Sequence, residues 1–131
     1  GSTMKERDPL LRLFAEYLQD ADLDVRINAL NGLRLVKDRR AIAAMAPLVQ
    51  DKELSIRMTT LSVLGNSGHK SAVETISPAL EDNSKMIRKA AAQALGKLKM
   101  KSALPLLKAQ LAKEKEADVK DAIQQAIKAI G

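Results

Sequence analysis

The stretch DLDVR at residues 22–26 returns as ELSIR at 53–57 and as SKMIR at 84–88, a spacing of 31 residues. The register extends in both directions. Asp20, Asp51 and Asp82 keep the same spacing, as do Arg26, Arg57 and Arg88, and Leu33, Leu64 and Leu95. A second set repeats with the same period: Leu11, Ile42, Val73 and Leu104; Phe14, Met45, Ile76 and Leu107; Leu18, Val49, Leu80 and Leu111. A fourth unit follows with one inserted residue, which puts Val119 and Lys120 at the Val-Arg position.

Within each unit the apolar residues fall at helical spacing. Val25, Ala29, Leu33 and Val36 follow a 4-4-3 pattern, and Leu11, Phe14 and Leu18 a 3-4 pattern. Such spacing lays a stripe along one face of an amphipathic helix and does not fit an alternating strand. Asp8-Pro9 reads as an N-cap followed by proline at the first helical position. The segments 65–68 and 97–102 read as turns. The pattern predicts eight helices paired in four units, roughly 8–36, 39–67, 70–98 and 101–130. One pair cannot bury its stripe alone, whereas stacked pairs make a continuous core, so each unit must show its neighbour the same face.

Asp20, Asp51 and Asp82 stand where a carboxylate can accept from free backbone N–H groups at the start of a second helix. Arg26, Arg57 and Arg88, six residues on, can pair with an Asp carboxylate of the neighbouring unit through their planar fork. These six residues are expected to form a structural ladder that sets the stacking angle. Lys113 stands at the turn position of the last unit, so the ladder is expected to end there.

The Asp, Val-Arg, Ala and Leu spacing of the second helix, after a Leu-rich first helix containing Pro105, resembles HEAT repeats. The 31-residue period is most similar to the phycobilisome-lyase-type HEAT-like repeats. The resemblance covers residues 8–130 and implies an all-α, right-handed α-solenoid of about four helix pairs (an α-α superhelix). Ala43 and Glu74 depart from it, standing where Pro105 stands in the last unit. Pro47 and Pro78 come four residues later instead and are expected to kink their helices. Ile27, Met58, Lys89 and Asp121 share one column, so the units have diverged.

Composition narrows the function. The chain has 131 residues, 46% apolar and 29% charged, with no cysteine and with Phe14 and Tyr17 as its aromatics. Thiolate metal sites and cysteine nucleophiles are excluded. Stacking platforms for bases or flat cofactors need aromatic faces that are scarce here. Gly1-Ser2-Thr3 ahead of Met4 reads as a cloning remnant, and residues 1–7 as a flexible start before a single domain at 8–131. No secretory leader is visible, which suggests a cytoplasmic protein.

His69, the one histidine, lies in the turn-like GNSGHKS, and a metal site needs several converging ligands. Ser55, Ser62, Ser67 and Ser71 lack a complete triad. Glu114, Glu116 and Asp118 complement the dipole of the last helix, with no opposed partner evident for acid–base work. HEAT-like metal hydroxylases carry paired His-Glu motifs and HEAT-like DNA glycosylases use aromatic and acidic residues; neither set is matched. The chain is therefore expected to be no enzyme and to need no cofactor.

The leading expectation is a protein-interaction scaffold. The resemblance implies that the second helices line a concave face, where Ile27, Asn28, Asn31, Met58, Thr59, Ser62, Lys89, Gln93 and Gln125 form a candidate groove for a partner protein or peptide. Their amides and hydroxyls both donate and accept, which suits an extended backbone. Leu10, Leu13 and Tyr17 widen the apolar arc of the first helix and suggest an N-terminal edge that meets an upstream domain or a second copy of the chain. The formal charge of +6 is uneven: residues 66–131 hold twelve Lys or Arg against seven Asp or Glu. A second reading is therefore nucleic-acid or polyanion binding through Arg88, Lys89, Lys97, Lys99, Lys101 and Lys128. A third, by family analogy, is a bilin-lyase-like subunit.

Overall fold

The computed structural model describes residues 12–13, 15–34 and 39–131. Asp8-Pro9, Leu10, Leu11, Phe14 and Val36 lie outside them. Helical residues at 12–13 and 15–17 precede α1 (Leu23–Leu33). Then follow α2 (Arg39–Met45), α3 (Leu54–Gly65), α4 (Ala72–Ile76), α5 (Lys85–Leu98), α6 (Leu104–Lys113) and α7 (Ala117–Ile130). No strand occurs among the described residues. The second helices α1, α3, α5 and α7 pack each against the next, and the first helices lie behind them, so the chain is an α-solenoid.

The repeated apolar columns are the core. Ile56, Ile87 and Val119 are fully buried, as are Leu64 and Leu95 on the same helices and Ile76 and Leu107 on the first helices. Val25, at the same position in the first unit, is only half-buried. Thr60 occupies a buried column shared with Ala29 and Ala91, and its hydroxyl is satisfied by donating to the Ile56 carbonyl at 2.7 Å. A threonine is tolerated there because the bond is made inside its own helix.

Proline decides the shape of the first helices. α2 and α4 stop at Met45 and Ile76, and the chain continues as 3-10 turns over Ala46–Gln50 and Ser77–Glu81. Pro47 and Pro78 lie second in those turns. A proline lacks the N–H for an α-helical bond, and its ring crowds the carbonyl four residues back. The bend therefore takes the form of a change of helix type. In the last unit Pro105 sits at the start of α6, where a missing N–H costs nothing, and α6 runs unbroken for 10 residues.

Arginines tie unit to unit at the turn side. Arg26, Arg57 and Arg88 each donate through Nη1 to the carbonyl of their own unit's Asp20, Asp51 and Asp82, at 2.9, 3.0 and 2.9 Å. Each also reaches the carboxylate of the following unit. Arg26 Nη2 lies 3.5 Å from Asp51 Oδ2, and Arg57 Nε 3.4 Å from Asp82 Oδ2. The aspartates meanwhile accept from the amides of Asp22, Glu53 and Ser84. Those amides belong to the N-cap residues, so the carboxylates fix the entry into each second helix and do not cap its first turn.

The ladder does not end at Lys113. The inserted residue falls before the last turn, which moves the acidic position to Glu114. Arg88 grips it with a two-pronged fork, Nε to Oε1 at 2.9 Å and Nη2 to Oε2 at 3.1 Å. Glu114 Oε2 also accepts from the amides of Lys115 and Glu116, and Gln110 Nε2 donates to Oε1. Glu114 is thus buried against an opposed partner that the sequence reading missed. Lys113 pairs instead with Glu81 on the surface. Burial alone pushes the Glu114 pKa up, but the Arg88 fork, the Glu116 amide and Gln110 outweigh it and hold it down from 4.5 to about 2.

Close backbone approach completes the stacking. A Cβ placed on Gly65 would meet the Cα and Cβ of Ala94 at 2.9 Å, and one on Gly96 would meet those of Ala126 at 3.2 Å. Glycine here lets α3 approach α5, and α5 approach α7, more closely than any side chain would allow.

Two measurements test this account. Gly65→Ala loses about 1–2 kcal/mol in urea unfolding, because overpacking against backbone outweighs the better helix propensity of alanine. Gly96→Ala, with the looser contact, loses less. Glu114→Gln destabilises by about 3 kcal/mol at neutral pH by leaving Arg88 unpaired. Because the folded pKa lies below the unfolded one, the linked stability, of order 3 kcal/mol, is complete above pH 4.5 and is lost as pH falls toward 2. The gap between native and variant unfolding curves therefore closes across that window.

Candidate functional site

The second helices leave their outer faces uncovered, and two grooves run between them. The larger, about 540 Å³, separates α5 from α7. The buried Gly96, Ala122 and Ala126 make its floor, the exposed Ala129 also lines it, Gln93 and Gln125 stand on opposite helices, and Lys97 and Lys99 lie at the C-terminal end of α5. The smaller, about 160 Å³, lies between α3 and α5 and includes Met58, Ser62, Gly65 and Ala90. Gln93 and Lys97 line both, so the two are parts of one surface.

The groove exists because its floor is small. The side chains that let α5 and α7 approach are the same ones that leave a trough above the contact. Lys99 closes α5 in the left-handed conformation, φ 54° and ψ 37°, a position glycine usually fills. The chain then turns into the short 3-10 segment Lys101–Ala103.

Of the residues singled out from sequence, Met58, Ser62, Gln93 and Gln125 line this surface. Ile27, Thr59 and Lys89 are half-buried and do not line it, and Ile27 packs against the core. Asn31 is exposed and accepts from Arg34 at 3.3 Å. Asn28 borders a separate hollow of about 370 Å³ with Tyr17 and Val25 at the N-terminal end. On that edge Leu13 and Tyr17 are each 43% exposed, and Leu10 lies outside the described residues.

The six basic residues differ in their surroundings. Lys97 and Lys99 enter the large groove, while Lys101 and Lys128 are exposed outside it. Arg88 is committed to Glu114 and the Asp82 carbonyl. The sequence reading also missed Gly96 and Ala126 as groove-forming residues. The recurrence of glycine at 65 and 96, with alanine at 94 and 126, was the available signal.

His69 is half-buried in the turn after α3, where its amide donates to Ser67 Oγ at 3.2 Å. Among the described residues no three His, Asp or Glu side chains converge to hold a metal ion, and no helix is long and apolar enough to cross a membrane.

Comparison with known proteins gives the fold a context. The family profile described as HEAT repeats matches residues 55–128. Human deoxyhypusine hydroxylase, solved in complex with glycerol, is similar over 92% of this chain and 43% of its own, at 27% identity and a TM-score of 0.83. The complex of CpcE and CpcF of phycocyanin lyase from Nostoc is similar over 92% of this chain and 53% of that chain, at 28% identity and a TM-score of 0.75. An engineered protein shares the fold at 18% identity and a TM-score of 0.61, covering 92% of this chain and 62% of its own. The chain thus spans about half the length of the two natural proteins. No curated protein sequence matches it.

These similarities correct one expectation. The absence of a recognisable triad or metal motif pointed away from an enzyme, yet a hydroxylase and a lyase share this architecture with the chain. The non-enzyme reading is overturned as a conclusion from sequence, since a repeat array can be one portion of an enzyme. The profile match covers more than half the residues, and the repeat, its helix pairs and their stacking agree with it: the chain belongs to the HEAT repeat family.

Proposed function

We propose that the chain binds a partner protein by taking a segment of its polypeptide across the outer faces of α3, α5 and α7. The observation that carries the reading is the groove between α5 and α7, with a floor of glycine and alanine and with Gln93 and Gln125 on opposite lips. Small floor residues admit side chains of the guest. The two glutamine amides can each donate and accept, as an extended backbone requires. The walls are preorganised by the arginine ladder and the glycine–alanine contacts, so little ordering cost falls on binding. Similarity to a lyase solved as a complex of CpcE and CpcF is in keeping with a protein partner.

The test is site-specific photocrosslinking in a nuclease-treated lysate of the native source. A benzoyl-phenylalanine at position 125 is expected to capture a discrete protein, and Ala129→Glu, which fills the groove, is expected to abolish capture. The same probe at the exposed Lys108 position on α6 is the control. Equal labelling at both positions, or capture of nucleic acid in an untreated lysate instead of protein, would overturn the proposal.

A further inference from the structure

We propose that the occupant of the α5–α7 groove is an acidic segment, whose carboxylates meet Lys97 and Lys99. This rests on the groove reading above and adds the chemistry of the guest.

Both charged residues that line the groove are lysines, and no acidic side chain lines it. The cations at the junctions between units have partners: Arg26, Arg57 and Arg88 lie against the next unit's carboxylate, and Lys113 against Glu81. Lys97 and Lys99 are paired with no carboxylate among the described residues. Two unpaired ammonium groups at the mouth of an alanine-floored trough favour a guest with small side chains and negative charge. No aromatic residue lines the groove, which disfavours stacked bases.

Lys99 sharpens the argument. It is the one non-glycine residue with positive φ among those described. Glycine would adopt that conformation without steric cost, and lysine there keeps a charge at the groove mouth at the expense of backbone ease. The charge also complements the C-terminal end of α5. A structural role and a binding role therefore predict different outcomes for Lys99→Gly.

The experiment selects a random peptide library displayed on phage against the whole chain. Enriched peptides are expected to carry Asp or Glu and to bind less tightly as salt rises. Lys99→Gly is expected to leave the melting temperature unchanged or raised while weakening those peptides. Lys97→Glu with Lys99→Gly is expected to weaken them about tenfold, the size of two exposed ion pairs. Peptides without acidic residues, or acidic ones indifferent to both changes yet blocked by Ala129→Glu, would overturn the acidic guest and keep the groove. Peptides indifferent to Ala129→Glu, or failure to enrich any, would overturn both readings. Displacement of bound peptide by a mixed-sequence single-stranded oligonucleotide, with tighter binding of the oligonucleotide itself, would reassign the groove to nucleic acid.

Discussion

An arginine held between two units sets the geometry on which the rest of this molecule depends. Each of Arg26, Arg57 and Arg88 bonds the carbonyl of its own turn and lies against a carboxylate of the next. Apolar burial is non-directional and would tolerate a range of stacking angles. A planar guanidinium between a fixed carbonyl and a fixed carboxylate tolerates far fewer. The contact tightens along the array, from 3.5 Å at the first rung to a two-pronged fork at the third. The best-determined stacking thus lies between the last units, where the larger groove lies.

The groove follows from that stacking. α5 and α7 approach closely because Gly96 faces Ala126, and α3 and α5 because Gly65 faces Ala94. Close approach of two helices over small residues leaves a trough wherever longer side chains stand only on the outer edges. Gln93, Gln125 and Lys97 are such edges. Stability and the groove are therefore not separate features here, since the residues that permit the one create the other. The similar hydroxylase and lyase show that arrays of this kind occur within enzymes.

The proline turns illustrate a local rule with a global effect. Pro47 and Pro78 shorten α2 and α4 and convert their ends to 3-10 geometry, while Pro105, placed earlier, leaves α6 whole. The first helices of the middle units therefore change helix type just before the turn that carries the ladder. The last unit reaches the same place with an unbroken α-helix and one added residue, and Glu114, longer than aspartate, makes the final rung.

Periodicity alone determined the helices, their pairing, the stacked core and the arginine–carboxylate rungs. A 31-residue recurrence of apolar, Asp and Arg positions has few physical solutions other than stacked helix pairs. Sequence could not place the last rung, because an insertion leaves two registers open and only packing chooses Glu114 over Lys113. Nor could it separate Lys97 and Lys99 from Lys101, Lys128 and Arg88, since those residues differ in their surroundings and not in their spacing. The groove itself depends on which small residues of neighbouring helices approach so closely that a Cβ on the glycine would lie within 3.2 Å of the facing alanine. That distance is a property of the assembled array, decided by long-range packing that no single stretch of sequence contains.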